Sequence, residues 1–546
     1  MLLALCVPTA RAEEELVPVN FIQPQPTMPS DEALEAAGAI IGSIAIDAGE
    51  VFTDKEHEAN VLAGMVDRLH INTRASTIRS QLLFNSGDRY KPRLLQESER
   101  LLRANGYLGD ARIYPVAWHD GVVDVEVRTR DVWTLDFSAS FGRKGGTNSS
   151  SVQLADTNLA GLGLRLGLGR KSDVDRVSTT LRLATARLGA QRWALDASYS
   201  DNSDGYERNL YIGRPFYSLD TTWTAGAQGS AYERRESRYA LGQIIGVYDS
   251  TGSDYEIFGG HSSGTQAGWV TRWTYGVAAT TREFRDAQAS ADPGVVAPPP
   301  WPLPEGRQFI YPWLAWERIQ DNYITEQNLN QIGKTEDWHA GWQMQARVGL
   351  ASQSVGSTSD AVLMQAQVSR GYRFGNGRLL DLRAGIDGRL EGGHPADALA
   401  TVAARYYFPT STSSTLFLGA SADYVRAADA DRQLLLGGDN GLRGYPLRFL
   451  ESPGPDKARW LVTAEERWYS NRTIFHIFNV GAAAFYDAGA TPGNGLGVLQ
   501  DVGVGIRLLN NRSARAGVLH IDLALPLTSA PGVQGLQLLI ATKKSF

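Results

Sequence analysis

The chain has 546 residues, a formal net charge of −6 and a single cysteine, Cys6. Hydrophobic residues account for 43% of the sequence and charged residues for 21%, so a disordered chain is excluded. The acidic balance argues against nucleic-acid binding, which needs a basic footprint. No apolar stretch approaches about 18 residues, which argues against transmembrane helices. The 57 glycines, 21 tyrosines and 13 tryptophans favour an all-β protein with many turns.

The N-terminus predicts export. Residues 1–12 form an apolar stretch that ends in Ala10-Arg11-Ala12, as a secretory signal does before its cleavage site. We interpret them as a signal-peptide remnant, and an apolar N-terminus without a targeting role is the alternative. Cleavage after Ala12 would remove Cys6, so the mature chain could not rely on disulfides. Residues 13–38 are rich in Pro and Glu without periodicity, and we interpret them as a linker.

Residues 39–132 predict a small α/β domain. The predicted elements, in order, are a strand at Ile40–Ile46, helix-like stretches at Asp54–Leu69 and Ser76–Phe84, a helix from Pro92 to the cap pair Asn105-Gly106, and strands at Ala111–Trp118 and Val122–Arg128. The turn His119-Asp120-Gly121 joins the last two strands into a hairpin. This order, summarised as β-α-α-β-β, predicts a three-stranded sheet.

Residues 133–546 alternate between apolar and polar positions without a helical segment. In one example, Leu380, Leu382, Ala384 and Ile386 oppose Asp381, Arg383, Asp387 and Arg389. Because charged residues occupy the second face, lipid outside and water inside explain the pattern better than a soluble sandwich does. We predict a transmembrane antiparallel β-barrel of about sixteen strands, which use roughly 160 residues and leave about fifteen for each connection. The Pro-rich segment Asp286–Arg307 is predicted to be a long outer loop.

Two segments predict an ion pair inside this barrel. In the run 481–489, Asp487 lies on the face opposite the apolar one, so it should point into the lumen. Arg443 lies between Gly441 and Gly444, where the backbone can turn tightly and present a cation. An inward carboxylate needs a partner, and a guanidinium on a folded-in loop would supply one. The alternative is a solvated Asp487 and an ordinary Gly-rich hairpin.

Several segments together resemble the BamA/TamA superfamily of outer-membrane assembly barrels, whose periplasmic module is the POTRA domain. The matching segments are Thr77-Ile78-Arg79 with Leu82-Leu83, Gly87–Tyr90, Leu101–Leu108, Asp156–Gly163, Gly437–Tyr445, Thr463–Arg467 and Phe485–Gly489. The resemblance covers residue 39 to the end. It implies a lumenal loop lock formed by Arg443, Gly444, Tyr445, Asp487 and Gly489, a strand motif containing Glu465 and Arg467, and a C-terminal sorting signal at Phe546.

The resemblance implies a function in moving polypeptide at the bacterial outer membrane. Residues 39–132 would lie in the periplasm, and the protein would insert outer-membrane proteins or translocate a secreted one. The implied partners are outer-membrane lipid, an extended polypeptide client that adds a strand to a sheet edge, and accessory periplasmic proteins. The first and last barrel strands would meet at a seam whose edges can template a client strand. No catalytic residue, cofactor or metal is expected, and no nucleic-acid partner.

Two other functions remain open from the sequence. The first is a passive or solute-selective pore whose lumen charges tune permeation. The second is a surface esterase that uses Ser262, because Gly260–Gly264 satisfies the G-x-S-x-G pattern of serine hydrolases. That pattern must join a strand to a helix, whereas Tyr255–Phe258 and Trp269–Gly276 both resemble strands. We therefore interpret residues 260–264 as a hairpin turn.

Overall fold

The computed structural model describes residues 28–49, 73–132, 134–189, 191–287, 301–475, 477–511, 517–533 and 535–544. These residues form a small α/β domain and a closed antiparallel β-barrel, so the protein is mainly β. The predicted signal at 1–12, the predicted helix at Asp54–Leu69 and Phe546 lie outside the described residues. None of the described helices has the length and apolar content needed to cross a membrane.

The small domain, residues 28–132, packs its helices against a three-stranded sheet. Its elements are α1 (Asp31–Ala36), β1 (Ile40–Gly49), α2 (Ala75–Arg79), α3 (Pro92–Arg103), β2 (Leu108–His119) and β3 (Val122–Asp131). The central strand β3 runs parallel to β1 and antiparallel to β2. Asp120 and Gly121, both with positive φ, form the two-residue turn between β2 and β3. The core between helices and sheet contains Leu102, Val123 and Val125, each fully buried.

Helix α1 corrects the predicted linker. Part of the segment 13–38 is helical: the Ser30 hydroxyl caps the helix by accepting a hydrogen bond from the N–H of Ala33 at 3.3 Å. Leu34 is completely buried in the core of the small domain, and the Tyr90 hydroxyl donates to Asp31 at 2.7 Å. A helix of six residues is too short to show a periodic pattern in the sequence. The segment from residue 28 onwards therefore belongs to the small domain.

Twenty strands close the barrel, four more than predicted. They are β4 (Leu135–Lys144), β5 (Thr147–Leu159), β6 (Leu164–Ser172), β7 (Val177–Leu188), β8 (Trp193–Asn202), β9 (Gly205–Arg214), β10 (Trp223–Ala240), β11 (Gln243–Gln266), β12 (Trp269–Asp286), β13 (Arg307–Gln320), β16 (Trp342–Ala351), β17 (Ala361–Arg373), β18 (Leu379–Glu391), β19 (His394–Ser411), β20 (Ser414–Arg426), β23 (Lys457–Ile474), β24 (Phe478–Ala490), β25 (Leu499–Asn510), β26 (Val518–Pro526) and β27 (Gln537–Lys543). Two short hairpins, β14–β15 (Tyr323–Gln327, Thr335–His339) and β21–β22 (Leu435–Leu436, Leu450–Glu451), lie in connections between barrel strands.

The predicted count of about sixteen was wrong because it assigned too many residues to connections. Several connections contain two residues, such as Gly145-Gly146 between β4 and β5 and Gly392-Gly393 between β18 and β19. Strands also exceed the ten residues that cross a bilayer: β10, β11 and β12 contain 18, 24 and 18 residues. Because many connections are shorter than the predicted fifteen residues, the chain forms more strands, and longer ones, than we predicted.

The two faces of the barrel differ in polarity. Large apolar side chains face outward and are exposed, among them Phe137, Leu168, Ile257, Val402, Val504 and Leu523. The inward positions of β23, β25 and β26 instead carry charged residues that are almost completely buried, including Glu465, Arg507 and Asp522. An apolar exterior and a charged interior are what a closed barrel needs to cross lipid.

The small domain docks on the turns at one end of the barrel, here called the domain end. The basic face of α3 meets acidic residues of the barrel: Arg93 pairs with Asp220, and Arg103 forms two hydrogen bonds with Asp337 at 2.6 and 2.9 Å. The carbonyl oxygen of Leu82 also accepts from Arg192 at 2.8 Å. Charge complementarity thus fixes the position of the small domain on the barrel.

Candidate functional site in the barrel lumen

The connection 427–456 between β20 and β23 enters the lumen from the opposite end, here called the far end. We name it the lumenal loop. Its hairpin β21–β22 and its tip pack around an apolar cluster of fully buried side chains that includes Leu442, Tyr445 and Phe449. Because the cluster also includes Leu499 of β25, the loop is held against the inner wall of the barrel.

Arg443, at the tip of the lumenal loop, binds two carboxylates of the inner wall. Its Nε and Nη2 donate to Asp487 at 2.6 and 3.0 Å, and its Nη1 donates to Glu465 at 2.7 Å. Its guanidinium also lies over the ring of Phe485, 3.3 Å from the ring centroid. Asp487 is completely buried and accepts a third hydrogen bond from the Thr463 hydroxyl at 2.8 Å. The structure thus brings Arg443 and Asp487 together in a bidentate ion pair.

Glu465 extends this ion pair into a network. It accepts from Arg467 at 2.9 Å and lies 3.5 Å from Arg507, which pairs in turn with Asp522. Sequence reasoning missed Arg507 and Asp522. Their signal is the alternation in their strands, where each lies on the face opposite exposed apolar residues such as Val504 and Leu523.

The glycines of the site allow the loop to approach the wall closely. A Cβ atom on Gly444 would lie 2.7 Å from the Cβ of Asp501, and one on Gly489 would lie 2.8 Å from the carbonyl oxygen of Trp460. The hydroxyl of Tyr445 lies 2.8 Å from the carbonyl oxygen of Gln500 and 3.0 Å from that of Thr528. Tyr445 therefore joins the loop to β25 and to the connection between β26 and β27.

A second insertion enters the lumen from the domain end. The connection 321–341 contains the hairpin β14–β15, and we name it the lumenal hairpin. Ile332 at its tip packs against Tyr469, Ala483, Leu509 and Val518 of the inner wall. The Leu329 carbonyl accepts from Arg467 at 3.0 Å, and the Ile332 carbonyl accepts from Asn479 at 2.7 Å. This insertion was not predicted from the sequence, and it meets the network of the lumenal loop at Arg467.

Within the described residues, the seam between the first and last strands has fewer bridged pairs than any other strand pairing of the barrel. Strand β27 pairs with β26 from Gln537 to Lys543, but the described residues join it to β4 through one bridge, Ile540 to Arg143. The lumenal loop touches both sides of this seam. The Leu447 N–H donates to the Gly145 carbonyl at 3.3 Å beside β4, and the Tyr445 hydroxyl reaches Thr528 beyond β26. Only glycine fits at 145, because a Cβ atom there would lie 1.9 Å from the Leu447 nitrogen.

The structure corrects our interpretation of the segment around Ser262. Residues 260–264 are not a hairpin turn: they lie within the continuous strand β11, and the turn follows at Ala267-Gly268. The Ser262 hydroxyl accepts from the Gly264 N–H at 3.1 Å within a local irregularity of the strand. The strand is followed by β12, so the strand-to-helix turn of a nucleophile elbow does not form here.

The sheet edges of the small domain are partly occupied. At the free edge of β2, Glu99 accepts from the Ile113 N–H at 2.7 Å and Arg103 donates to the Ala111 carbonyl at 2.9 Å. At the free edge of β1, Arg79 donates to the Ile44 carbonyl at 3.0 Å. A further strand could therefore pair with β2 only after Glu99 and Arg103 move away from this edge.

These features define the class of the protein. A closed antiparallel barrel with an apolar exterior and a charged, loop-filled interior is a bacterial outer-membrane β-barrel.

Comparisons with known proteins give structural likeness only. The chain is similar to BamA from Haemophilus ducreyi lacking POTRA domains 1–3, with 13% identity over 92% of this chain and 83% of that chain and a TM-score of 0.39. It is similar to CdiB from Acinetobacter baumannii, with 13% identity over 92% of this chain and 74% of that chain and a TM-score of 0.47. It is also similar to CdiB from Escherichia coli, with 12% identity over 95% of this chain and 92% of that chain and a TM-score of 0.42. No family model and no curated protein sequence matches the chain. At these identities and scores, the function must be argued from the residues of this chain.

Proposed function

We propose that this protein belongs to the BamA/TamA superfamily and assembles polypeptide clients into the outer membrane or translocates them across it. One observation carries the proposal: a seam with a single bridged pair among the described residues is braced by a loop that Arg443 anchors in the lumen. A weakly paired seam offers backbone donors and acceptors of β4 and β27 to an incoming strand. The lumenal loop, which touches both flanks of the seam, would control its opening.

The contents of the lumen support a route through the seam. The lumenal loop enters from the far end, the lumenal hairpin enters from the domain end, and Arg467 bonds to both the network of the loop and the hairpin. A polypeptide crossing the lumen would have to displace both insertions. A client strand that pairs at the seam would displace one bridge, so we favour insertion of outer-membrane proteins over secretion.

The small domain would lie in the periplasm as a POTRA-like module. Its three-stranded sheet, with helices α2 and α3 between β1 and β2 as predicted from the sequence, supports this assignment. Its contacts with Asp220 and Asp337 place it beside the domain end, where a client in the periplasm would arrive first. Accessory periplasmic proteins are further candidates for partners.

The proposal is tested by assisted insertion. Full-length protein in liposomes is mixed with a urea-unfolded small outer-membrane barrel, and insertion is followed by heat-modifiable migration on a semi-native gel. The proposal requires faster insertion than in protein-free liposomes. Equal rates, combined with stable open conductance in planar bilayers, would support the passive pore instead.

A further inference from the structure

A cavity of about 430 Å³ lies at the joint between the small domain and the barrel. The small domain contributes polar side chains to its wall, including Thr77, Gln81 and Tyr107. The barrel contributes Arg187, Arg192 and Tyr217. Among the described residues, its wall contains two guanidinium groups and no carboxylate, which makes this lining positively charged. We name it the arginine pocket.

The half-buried arginines of this pocket lack the carboxylate partners that Arg443 and Arg103 have within the described residues. Arg443 and Arg103 each bind carboxylates, whereas no ion pair of Arg187 or Arg192 occurs within the described part of the chain. The Nη1 atom of Arg187 is buried and makes no hydrogen bond there. Arg192 donates to a neutral acceptor, the Leu82 carbonyl, at 2.8 Å. A buried donor without an acceptor is unfavourable unless a ligand supplies one.

A third arginine adds to the positive charge. Arg214 donates to backbone carbonyls, those of Gln191 and Trp223, and its guanidinium faces the ring of Tyr217 at 5.1 Å. Arg192 faces the same ring at 4.4 Å. Burial, followed by the charges of Arg187 and Arg214, lowers the pKa of Arg192 and outweighs the opposing contribution of Tyr217. The cations therefore repel one another, and an anion between them would relieve the repulsion.

We propose that Arg187 and Arg192 form a binding site for the phosphate group of a phosphate ester. A forked guanidinium matches phosphate oxygens in geometry as well as charge, and two of them can hold one phosphate from both sides. The position of the pocket favours a lipid headgroup as the source. Leu162 in its wall and Leu188 beside it are exposed by 52% and 42%, as are the outward apolar residues of the barrel. The pocket thus opens where the apolar belt meets the aqueous phase, which is the level of lipid phosphates.

The test compares two probes on the full-length protein in uncharged detergent micelles. Phosphatidylglycerol is titrated in and counted by native mass spectrometry, and inorganic phosphate is then added as competitor. We expect one bound lipid per chain at this site and an affinity about tenfold lower in Arg187→Gln, because one charge-assisted contact is lost. Displacement by inorganic phosphate would identify free phosphate as a ligand, and its failure to displace the lipid would identify the headgroup.

Arg182→Gln is the matched control, because Arg182 lies in the same strand β7 but pairs with Asp196. It should bind lipid like the wild type. Arg192→Lys, which keeps the charge but loses the fork, should bind with intermediate affinity. In lipid-free micelles Arg187→Gln should unfold at the same temperature as the wild type or higher, since repulsion is relieved. Unchanged lipid binding in Arg187→Gln, equal loss in Arg182→Gln, or a lower unfolding temperature of lipid-free Arg187→Gln would overturn the proposal.

Discussion

Arg467 and Leu329 join two segments that enter the lumen from opposite ends. Nη1 of Arg467 donates to the carbonyl oxygen of Leu329 at 3.0 Å, and its Nε donates to Glu465 at 2.9 Å. Glu465 also accepts from Arg443 of the lumenal loop at 2.7 Å. The lumenal hairpin and the lumenal loop are thus separated by two side chains. A displacement of the lumenal hairpin should therefore change the contacts of the lumenal loop, and the reverse should also hold.

The first prediction concerns the anchor of the lumenal loop. Arg443→Ala and Asp487→Ala should each loosen the loop: the first leaves Asp487 and Glu465 without this cation, and the second leaves Arg443 with Glu465 alone. Losing one partner of a buried pair costs about 3–5 kcal/mol, and water in the lumen should bring the cost to the lower end or below it. Limited proteolysis should show new cleavage between Leu436 and Leu450.

The double variant and an exposed pair serve as controls. Both single changes remove the contact between Arg443 and Asp487, so the double variant should be little worse than Arg443→Ala, which also removes the hydrogen bond to Glu465. Strictly additive losses would contradict a shared contact. Arg426→Ala should leave the cleavage pattern unchanged, because Arg426 pairs with Asp456 at the exposed base of the same loop.

The second prediction concerns docking of the small domain. Arg103→Ala removes two hydrogen bonds to Asp337 and one hydrogen bond to the carbonyl oxygen of Ala111. We expect a loss of about 1.5–3 kcal/mol in docking, because hydrogen bonds to charged groups fall in this range. Hydrogen exchange should rise in the hairpin tip 328–334 and at β2. Arg128→Ala, which removes pairs with Asp47 and Glu126 within the small domain, should leave the hairpin tip unchanged, and an equal effect there would argue against a specific link.

The third prediction concerns pH. The Glu97 carboxylate accepts from the Leu219 N–H of the barrel at 2.6 Å, and burial raises its pKa above the ordinary value. The docked state therefore binds the proton more tightly than the undocked state, so docking should strengthen as pH falls through the raised pKa towards the ordinary value. Asp220 stays ionised in this window: burial opposes ionisation, but hydrogen bonds from Thr265 and Arg93 keep its pKa lowered. Its pair with Arg93 is therefore retained.

Hydrogen exchange of α3 at pH values between 7 and about 4.5 checks this prediction. Exchange should slow, after correction for the intrinsic rate, as the pH decreases in the wild type. Glu97→Gln should remain docked and lose most of the dependence. Weaker docking of the wild type on acidification would contradict the sign of the effect.

The sequence predicted the fold class from local patterns, and the errors arose where local patterns carry no information. Pro92 and the apolar spacing after it predicted α3, and alternation predicted a barrel. The strand count was wrong because alternation does not show where a strand leaves the membrane. Helix α1 and the lumenal hairpin are built from elements of six and five residues, too short for periodicity.

The site could be anticipated only in part. Alternation in the run 481–489 predicted the direction of Asp487, and the glycines around Arg443 predicted a tight turn. The roles of Glu465 as a shared acceptor and of Arg467 as a link to Leu329 depend on strands and loops that are distant in sequence. No local pattern shows which connections of a barrel fold inward, so these contacts required the three-dimensional structure.

The most direct test of the proposed function is a reversible lock on the seam. In a background without Cys6, Arg143→Cys and Ile540→Cys place two thiols on the bridged pair of β4 and β27, at a separation that a disulfide can span. Leu523→Cys with Leu538→Cys, on the fully paired strands β26 and β27, is the matched control. Assisted insertion of an unfolded barrel should stop when the seam pair is oxidised and return on reduction, while the control pair has no effect. Insertion at the same rate with the seam oxidised would contradict the account.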